Sequence, residues 1–185
     1  MSSKQKYIKF QALNKSNQCE IAALFRSVFE LSDGKDEGRL IEGLTLKLSS
    51  EIDHHVIICL GAYLKDKLIG SIFLTQLMFK ENVLVYMLAP VAVNTEYQNE
   101  GIGTSLIKYG IKELKFRATD FVVTYGDPAF YSKIGFEPLS EKVIQAPLSL
   151  SMPWGWLGQS LNERPIPVIN DRPKCVEQFN DPLLW

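Results

Sequence analysis

Little in this chain's composition points to a partner or a metal. Its 185 residues include three cysteines and two histidines. Cys19, Cys59 and Cys175 are odd in number, lie far apart and contain no Cys-x-x-Cys spacing, so neither a disulfide framework nor a zinc site is suggested and no metal is expected. Charge of one sign is also missing. The 20 Lys and Arg against 21 Asp and Glu leave a formal net charge of −1, which supplies no global field for nucleic acid or an anionic membrane. No apolar run is long enough to span a bilayer, and Met1-Ser2-Ser3-Lys4-Gln5-Lys6 is polar with no signal-type apolar core behind it. The expectation is a cytoplasmic protein with no nucleic-acid and no membrane partner. Its length suits one well-buried α/β core better than two independent domains.

What the chain does have is clear periodicity. Ile8, Phe10 and Ala12 alternate on one face of a half-buried strand. Asn17, with Glu20 three residues later, offers a cap for a helix whose apolar side is Ile21, Leu24, Phe25, Val28 and Phe29. A loop over residues 31–35 precedes a second amphipathic helix marked by Leu40, Ile41, Leu44 and Leu48. Residues 56–64 and 68–79 read as two strands of a hairpin around Lys65-Asp66-Lys67, and a turn at Glu81-Asn82 feeds a strand over residues 83–93. Residues 121–125 form a short β-branched and aromatic strand; strand, loop, helix, strand implies a parallel pair. Asp127 then caps a short helix with Pro128 in its first position and Gly135 at its stop.

Beyond Pro147, five prolines (Pro153, Pro165, Pro167, Pro173 and Pro182) interrupt any long helix or central strand. Yet Trp154, Trp156, Leu157, Val176, Phe179 and Leu183-Leu184-Trp185 are too apolar for a solvated linker. The chain therefore divides into a domain over residues 6–148 and a Pro/Trp-containing extension over residues 149–185, packed on the domain or on a partner subunit as a homodimer.

Residues 84–115 carry the chemistry. An apolar strand ending Pro90-Val91-Ala92-Val93 leads through Asn94-Thr95-Glu96-Tyr97 into Gln98-Asn99-Glu100-Gly101-Ile102-Gly103 and an amphipathic helix. Two closely spaced glycines bring bare N–H groups to a helix start, where unpaired donors and the positive end of the helix dipole favour a pyrophosphate. Pro90 cannot donate to a sheet ladder, so that strand needs an edge, a bulge or a local parting of strands. A dinucleotide-binding βαβ unit is the nearest rival. It is disfavoured because Leu106 stands where the third glycine belongs, the loop is long for the tight turn, and Asp127-Pro128 already serves as a helix start. A Walker loop is excluded because no Gly-Lys-Ser/Thr follows.

The Gln-x-x-Gly-x-Gly of Gln98, Gly101 and Gly103 follows Val91-Ala92-Val93. Some 30 residues on comes Tyr125-Gly126-Asp127-Pro128-Ala129-Phe130-Tyr131-Ser132-Lys133-Ile134-Gly135-Phe136. The combination resembles the GNAT superfamily of acyl-CoA N-acyltransferases, and within it the YhbS-like N-acetyltransferases. The resemblance implies an α/β fold with a mixed, splayed central β-sheet flanked by helices, whose fourth and fifth strands part to admit pantetheine. It implies that the backbone of Val91, Ala92 and Val93 faces pantetheine and the thioester, with the Val93 N–H donating to the thioester carbonyl. Such an oxyanion donor is worth roughly 3 kcal/mol. Gln98, Asn99, Glu100, Gly101, Ile102, Gly103 and Thr104 would bind the CoA pyrophosphate, chiefly through backbone amides. Tyr131, in Phe130-Tyr131-Ser132-Lys133-Ile134-Gly135-Phe136, would protonate the departing thiolate.

Acetyl-CoA is then the donor co-substrate, and the partner is a small-molecule or protein amine acceptor. Glu37, Glu42 and Glu81 lie on segments that can border an acceptor site, but spacing brings none of them to the amine. Asp53-His54-His55 and Cys59 contain the residue types of a thiol acyl-transfer triad, although Cys59 sits in the apolar run Ile57-Ile58-Cys59-Leu60, where a buried small residue belongs. Two other functions compete with the enzyme: a catalytically silent CoA-responsive binding module and, behind it, a dinucleotide-binding protein.

Overall fold

The alternating residues near the start become β1 (Ile8–Leu13), which in a computed structural model describing residues 7–185 pairs antiparallel with β2 (Ile57–Leu64). The polar Met1-Ser2-Ser3-Lys4-Gln5-Lys6 stretch lies outside the described residues. Between β1 and β2 come α1 (Gln18–Ser32) and α2 (Lys35–Ser50), and after them β3 (Lys67–Leu77), β4 (Val85–Val93), α3 (Ile102–Phe116), β5 (Phe121–Tyr125), α4 (Pro128–Tyr131), β6 (Glu137–Pro138) and β7 (Trp156–Ser160). The seven strands form one mixed sheet in the order β1-β2-β3-β4-β5-β7-β6. The runs in β2, β3 and β4 are buried almost throughout, as strands covered on both faces require. No helix among the described residues is long and apolar enough to cross a membrane.

The chain divides into two compact units, with β3, β4 and α3 each lending residues to both. The first takes the described residues up to Phe73 together with Pro90–Gly110. Its core holds Leu13, Ile21, Phe25, Leu48, Ile69 and Phe73, all 0% exposed, and the Phe25 ring lies 5.9 Å from that of Phe73. The helices α1 and α2 approach closely at Gly38, where a Cβ would stand 2.8 Å from the Glu30 Cβ. The entry to α1 differs from the sequence expectation. Asn17 holds the N-cap position of α1 but makes no side-chain cap bond there; Asn14 caps the preceding turn, its side chain accepting from Ser16 N at 2.9 Å, while the Asn17 side chain accepts from Asn14 N at 3.0 Å. A 3₁₀ turn over Lys15–Asn17 precedes the helix and moves the box three residues upstream. Glu20 is instead the acceptor for the Tyr63 hydroxyl at 2.7 Å.

The second unit takes Leu74–Ala89 and Ile111–Trp185. Here β5 runs parallel to β4, as the strand, helix, strand order implies. The 149–185 segment supplies β7, whose five residues fall between Pro153 and Pro165 and lie in the sheet between β5 and β6. Trp156, Phe179 and Trp185 are core, whereas Trp154 is 67% exposed; Trp156 is 1% exposed and donates from Nε1 to Ile144 O at 3.0 Å. Trp185 stacks on Tyr125, with ring centroids 6.3 Å apart, and donates to Phe179 O at 2.9 Å. Burying an indole requires such an N–H partner.

Candidate active site

The parallel ladder joins residues 85–88 of β4 to residues 121–124 of β5, while β4 itself continues through Val93. At the last pair the Thr124 hydroxyl donates to Leu88 O at 2.8 Å. Pro90 lies two residues beyond, where a residue without an N–H can be accommodated. Along the rest of the strand Pro90 and Ala92 are buried, whereas Val91 and Val93 are only half-buried and share the opposite face.

The loop that follows is braced within the first unit. Asn94 N donates to Ile69 O at 2.9 Å, and the Asn94 side chain accepts from Glu96 N at 3.0 Å, capping the 3₁₀ turn Thr95–Tyr97. Gln98, expected to touch the ligand, uses its side chain locally: Nε2 donates to Val93 O at 3.0 Å and ties the loop to the end of β4. Two left-handed residues then set the turn, Asn99 at φ 60° and Gly101 at φ 77°. Asparagine tolerates this region and glycine suffers no Cβ penalty there. Gly101 O accepts from Ser105 N at 3.0 Å, so α3 begins on the turn and the preceding N–H groups stand at the positive end of its dipole. Ile102 and Leu106, at 2% and 0% exposure, anchor the helix, while Gly103 and Thr104 stay half-buried at its rim. Val91, Ala92, Val93, Gln98, Asn99, Glu100, Gly101, Ile102, Gly103 and Thr104 thus form one continuous piece of the first unit.

Tyr131 belongs to the second unit. Asp127 caps its helix as expected, accepting from Ala129 N at 2.8 Å, and Gly135 ends the following turn in the left-handed region at φ 97°. The Tyr131 ring packs edge-on to Phe130 and Phe136, with centroids 5.0 and 5.5 Å away. Gly126 makes room for it, since a Cβ at that position would stand 2.6 Å from Tyr131 Cε2. Burial pushes the phenol above its ordinary pKa, and a hydrogen bond with the Thr124 side chain works against that rise. Sequence reading placed Thr124 only as a strand-former. Nothing in its local pattern marks it, because its partner, Leu88 O, lies 36 residues upstream on β4.

The thiol alternative fails on its surroundings. Cys59 is 0% exposed, lies 3.3 Å from Ser71 Oγ, and burial pushes its thiol up to about 12, with Ser71 opposing. Asp53 spends Oδ1 accepting from His55 N at 2.9 Å and Ile57 N at 3.0 Å, a loop-closing role. Iodoacetamide at neutral pH is expected to label exposed Cys19 and leave Cys59 untouched until the protein is unfolded. Peptide mass mapping reads the result, and rapid native labelling of Cys59 would restore it as a nucleophile.

The site is thus a strand that outruns its parallel neighbour into a glycine turn at a helix start. Residues 53–138 match the acetyltransferase (GNAT) domain family. That match takes in β2 to β5, α3 and α4, and likeness to known N-acetyltransferases extends along most of the chain. It is 29% identical over 177 residues to the "uncharacterized N-acetyltransferase YjhQ" of Escherichia coli (strain K12), covering 92% of this chain and 93% of that one. With the "uncharacterized N-acetyltransferase YhbS" of the same strain it shares 42% over 50 residues, 27% of this chain and 30% of that protein. The crystal structure of E. coli YhbS in complex with CoA aligns with TM-score 0.77 at 22% identity, covering 95% of this chain and 93% of that one. A GNAT family acetyltransferase from Brucella melitensis in complex with acetyl-CoA gives 0.64 at 19% identity, covering 91% and 94%. At such identities these structures establish the fold.

Proposed function

We propose that this protein transfers acetyl from acetyl-CoA directly to an amine. The observation that carries the reading is the Asn99–Gly101 turn: two left-handed residues that open the start of α3 after a strand running past its neighbour. Its amides, with the Thr104 hydroxyl, hold the CoA pyrophosphate, and Gln98 acts by bracing the loop. The backbone of Val91, Ala92 and Val93 runs beside the pantetheine and thioester. The Val93 N–H donates to the carbonyl oxygen as negative charge grows there. The neutral amine attacks the carbonyl carbon, the C–S bond breaks, and Tyr131 gives its proton to the CoA thiolate. The YhbS and Brucella structures were solved with CoA and acetyl-CoA, which supports the choice of co-substrate. The acceptor is an amine, from a small molecule or a protein.

Calorimetric titration of the purified protein with acetyl-CoA, CoA and NAD tests this first. Selective binding of the two CoA species supports the reading; NAD binding, or no nucleotide binding by folded protein, overturns it. A panel of amines with acetyl-CoA, followed by release of free thiol, then separates enzyme from binding module. Tight CoA binding with no thiol released across the panel would assign the fold to the silent module.

A further inference from the structure

The peptide joining Val93 to Asn94 is held at both of its polar ends. Asn94 N donates to Ile69 O of β3 at 2.9 Å, and Val93 O accepts from Gln98 Nε2 at 3.0 Å. All four residues lie in the first unit. The 3₁₀ turn Thr95–Tyr97, capped by the Asn94 side chain and closed by Gln98 N on Thr95 O at 3.4 Å, brings the Gln98 side chain back to the strand the chain has just left. In an extended strand the N–H and C=O of one residue face the same edge, and the N–H of the next residue faces the other. Because Asn94 N turns toward β3, the N–H and C=O of Val93 both face away from it. The edge that offers the Val93 N–H to a ligand therefore also carries a carbonyl oxygen of opposite partial charge, and the Gln98 amide stands on that oxygen.

We propose that Gln98 is a positioning residue for the chemical step: by donating to Val93 O it fixes the peptide plane and screens the carbonyl, leaving the Val93 N–H to meet the thioester oxygen. The inference rests on the reading of that N–H as the donor to the thioester carbonyl. As the amine nitrogen bonds to the carbonyl carbon, the C=O electron pair moves onto oxygen. It returns when the C–S bond breaks with its own pair on sulfur; the nitrogen's extra proton leaves to water and Tyr131 protonates the sulfur. A bare Val93 O on the same edge repels the transient charge on the oxyanion, and a peptide able to rotate turns the N–H away from it. CoA binding draws on other groups, since the Asn99–Gly101 turn is set by its own left-handed backbone and by Ser105 N on Gly101 O at 3.0 Å. Gln98 therefore acts on kcat more than on affinity.

Gln98→Met keeps the length of the side chain and removes the donor. With acetyl-CoA and an amine from the panel it is expected to lower kcat by about fivefold, the effect of losing one hydrogen bond, and to leave acetyl-CoA affinity in calorimetry within about twofold. Gln98→Ala replaces the methionine variant if that one does not fold. Gln98→Glu adds a readout that a merely structural brace would not move, because its carboxylate cannot donate to Val93 O whereas its protonated form can. At saturating acetyl-CoA its kcat deficit relative to wild type is expected to shrink as the solution falls from neutrality to about pH 5, toward the usual glutamate range. Wild-type kcat in Gln98→Met, a loss of affinity as large as the loss of kcat, or a Gln98→Glu deficit constant with pH overturns the proposal. The reading beneath it fails on a separate result, no thiol released by the wild type on any amine, and the proposal falls with it.

Discussion

Tyr131→Phe is expected to lower kcat for acetyl transfer by about 10²- to 10³-fold and to leave acetyl-CoA affinity within about twofold, the pattern of a lost proton donor. Phenylalanine keeps the ring that packs against Phe130 and Phe136 and removes only the hydroxyl beside Thr124. Thiolate is a good leaving group at high pH but gains from a donor near neutrality. The deficit is therefore expected to shrink as solution pH rises. Burial lifts the phenol above its usual value, with Thr124 partly opposing, so the acid stays loaded through the physiological range.

The same shift links to stability with a definite sign. The unfolded phenol ionises near pH 10, whereas the folded one must remain protonated. The contribution is fully present below about pH 10 and is lost as pH climbs from there through the folded value. Melting curves across that window are expected to fall more steeply for the wild type than for Tyr131→Phe. Equal kcat for the two enzymes at every pH would remove Tyr131 from catalysis.

Gly101→Glu is expected to weaken acetyl-CoA binding by more than about 100-fold, combining three penalties. A non-glycine residue held at φ 77° costs on the order of 1–2 kcal/mol. A side chain at that point obstructs the approach of a pyrophosphate to the amides. The new carboxylate also repels the anion at the helix end that should attract it. Gly43→Glu is the matched control, because a Cβ at Gly43 meets nothing within 4 Å and the same charge is added far along α2. Calorimetry with acetyl-CoA compares the two at equal fold, verified by circular dichroism. Gly101→Glu binding within threefold of wild type would move the pyrophosphate elsewhere.

The parts of this molecule that could be read from the chain are those whose cause is local. The hairpin around Lys65 and Asp66, the Asp127 cap with Pro128 behind it, the left-handed stop at Gly135 and the glycine turn before α3 each depend on a few neighbouring residues. The glycine turn at the start of α3 was legible for that reason, whereas the left-handed backbone of Asn99 and Gly101 came only with the structure. Asn17 stands at the N-cap of α1 as read, but its side chain turns back to Asn14 N and closes the box of the preceding 3₁₀ turn, because only the path of the chain decides which backbone N–H it meets. Gln98 was assigned to the ligand, whereas its side chain closes on Val93 O, because sequence does not say where a flexible amide turns.

By itself, then, the sequence determined β1 to β5 and α1 to α4, the parallel β4–β5 pair and the glycine turn at the start of α3, because propensity, periodicity and turn chemistry act over short stretches. Only the tertiary structure decided that residues 156–160 lie in the sheet between β5 and β6, that Cys59 is sealed beside Ser71, and that the buried Thr124 hydroxyl bonds Leu88 O. Those outcomes depend on which buried polar groups find partners across long stretches of chain, and that is settled by packing the whole core at once.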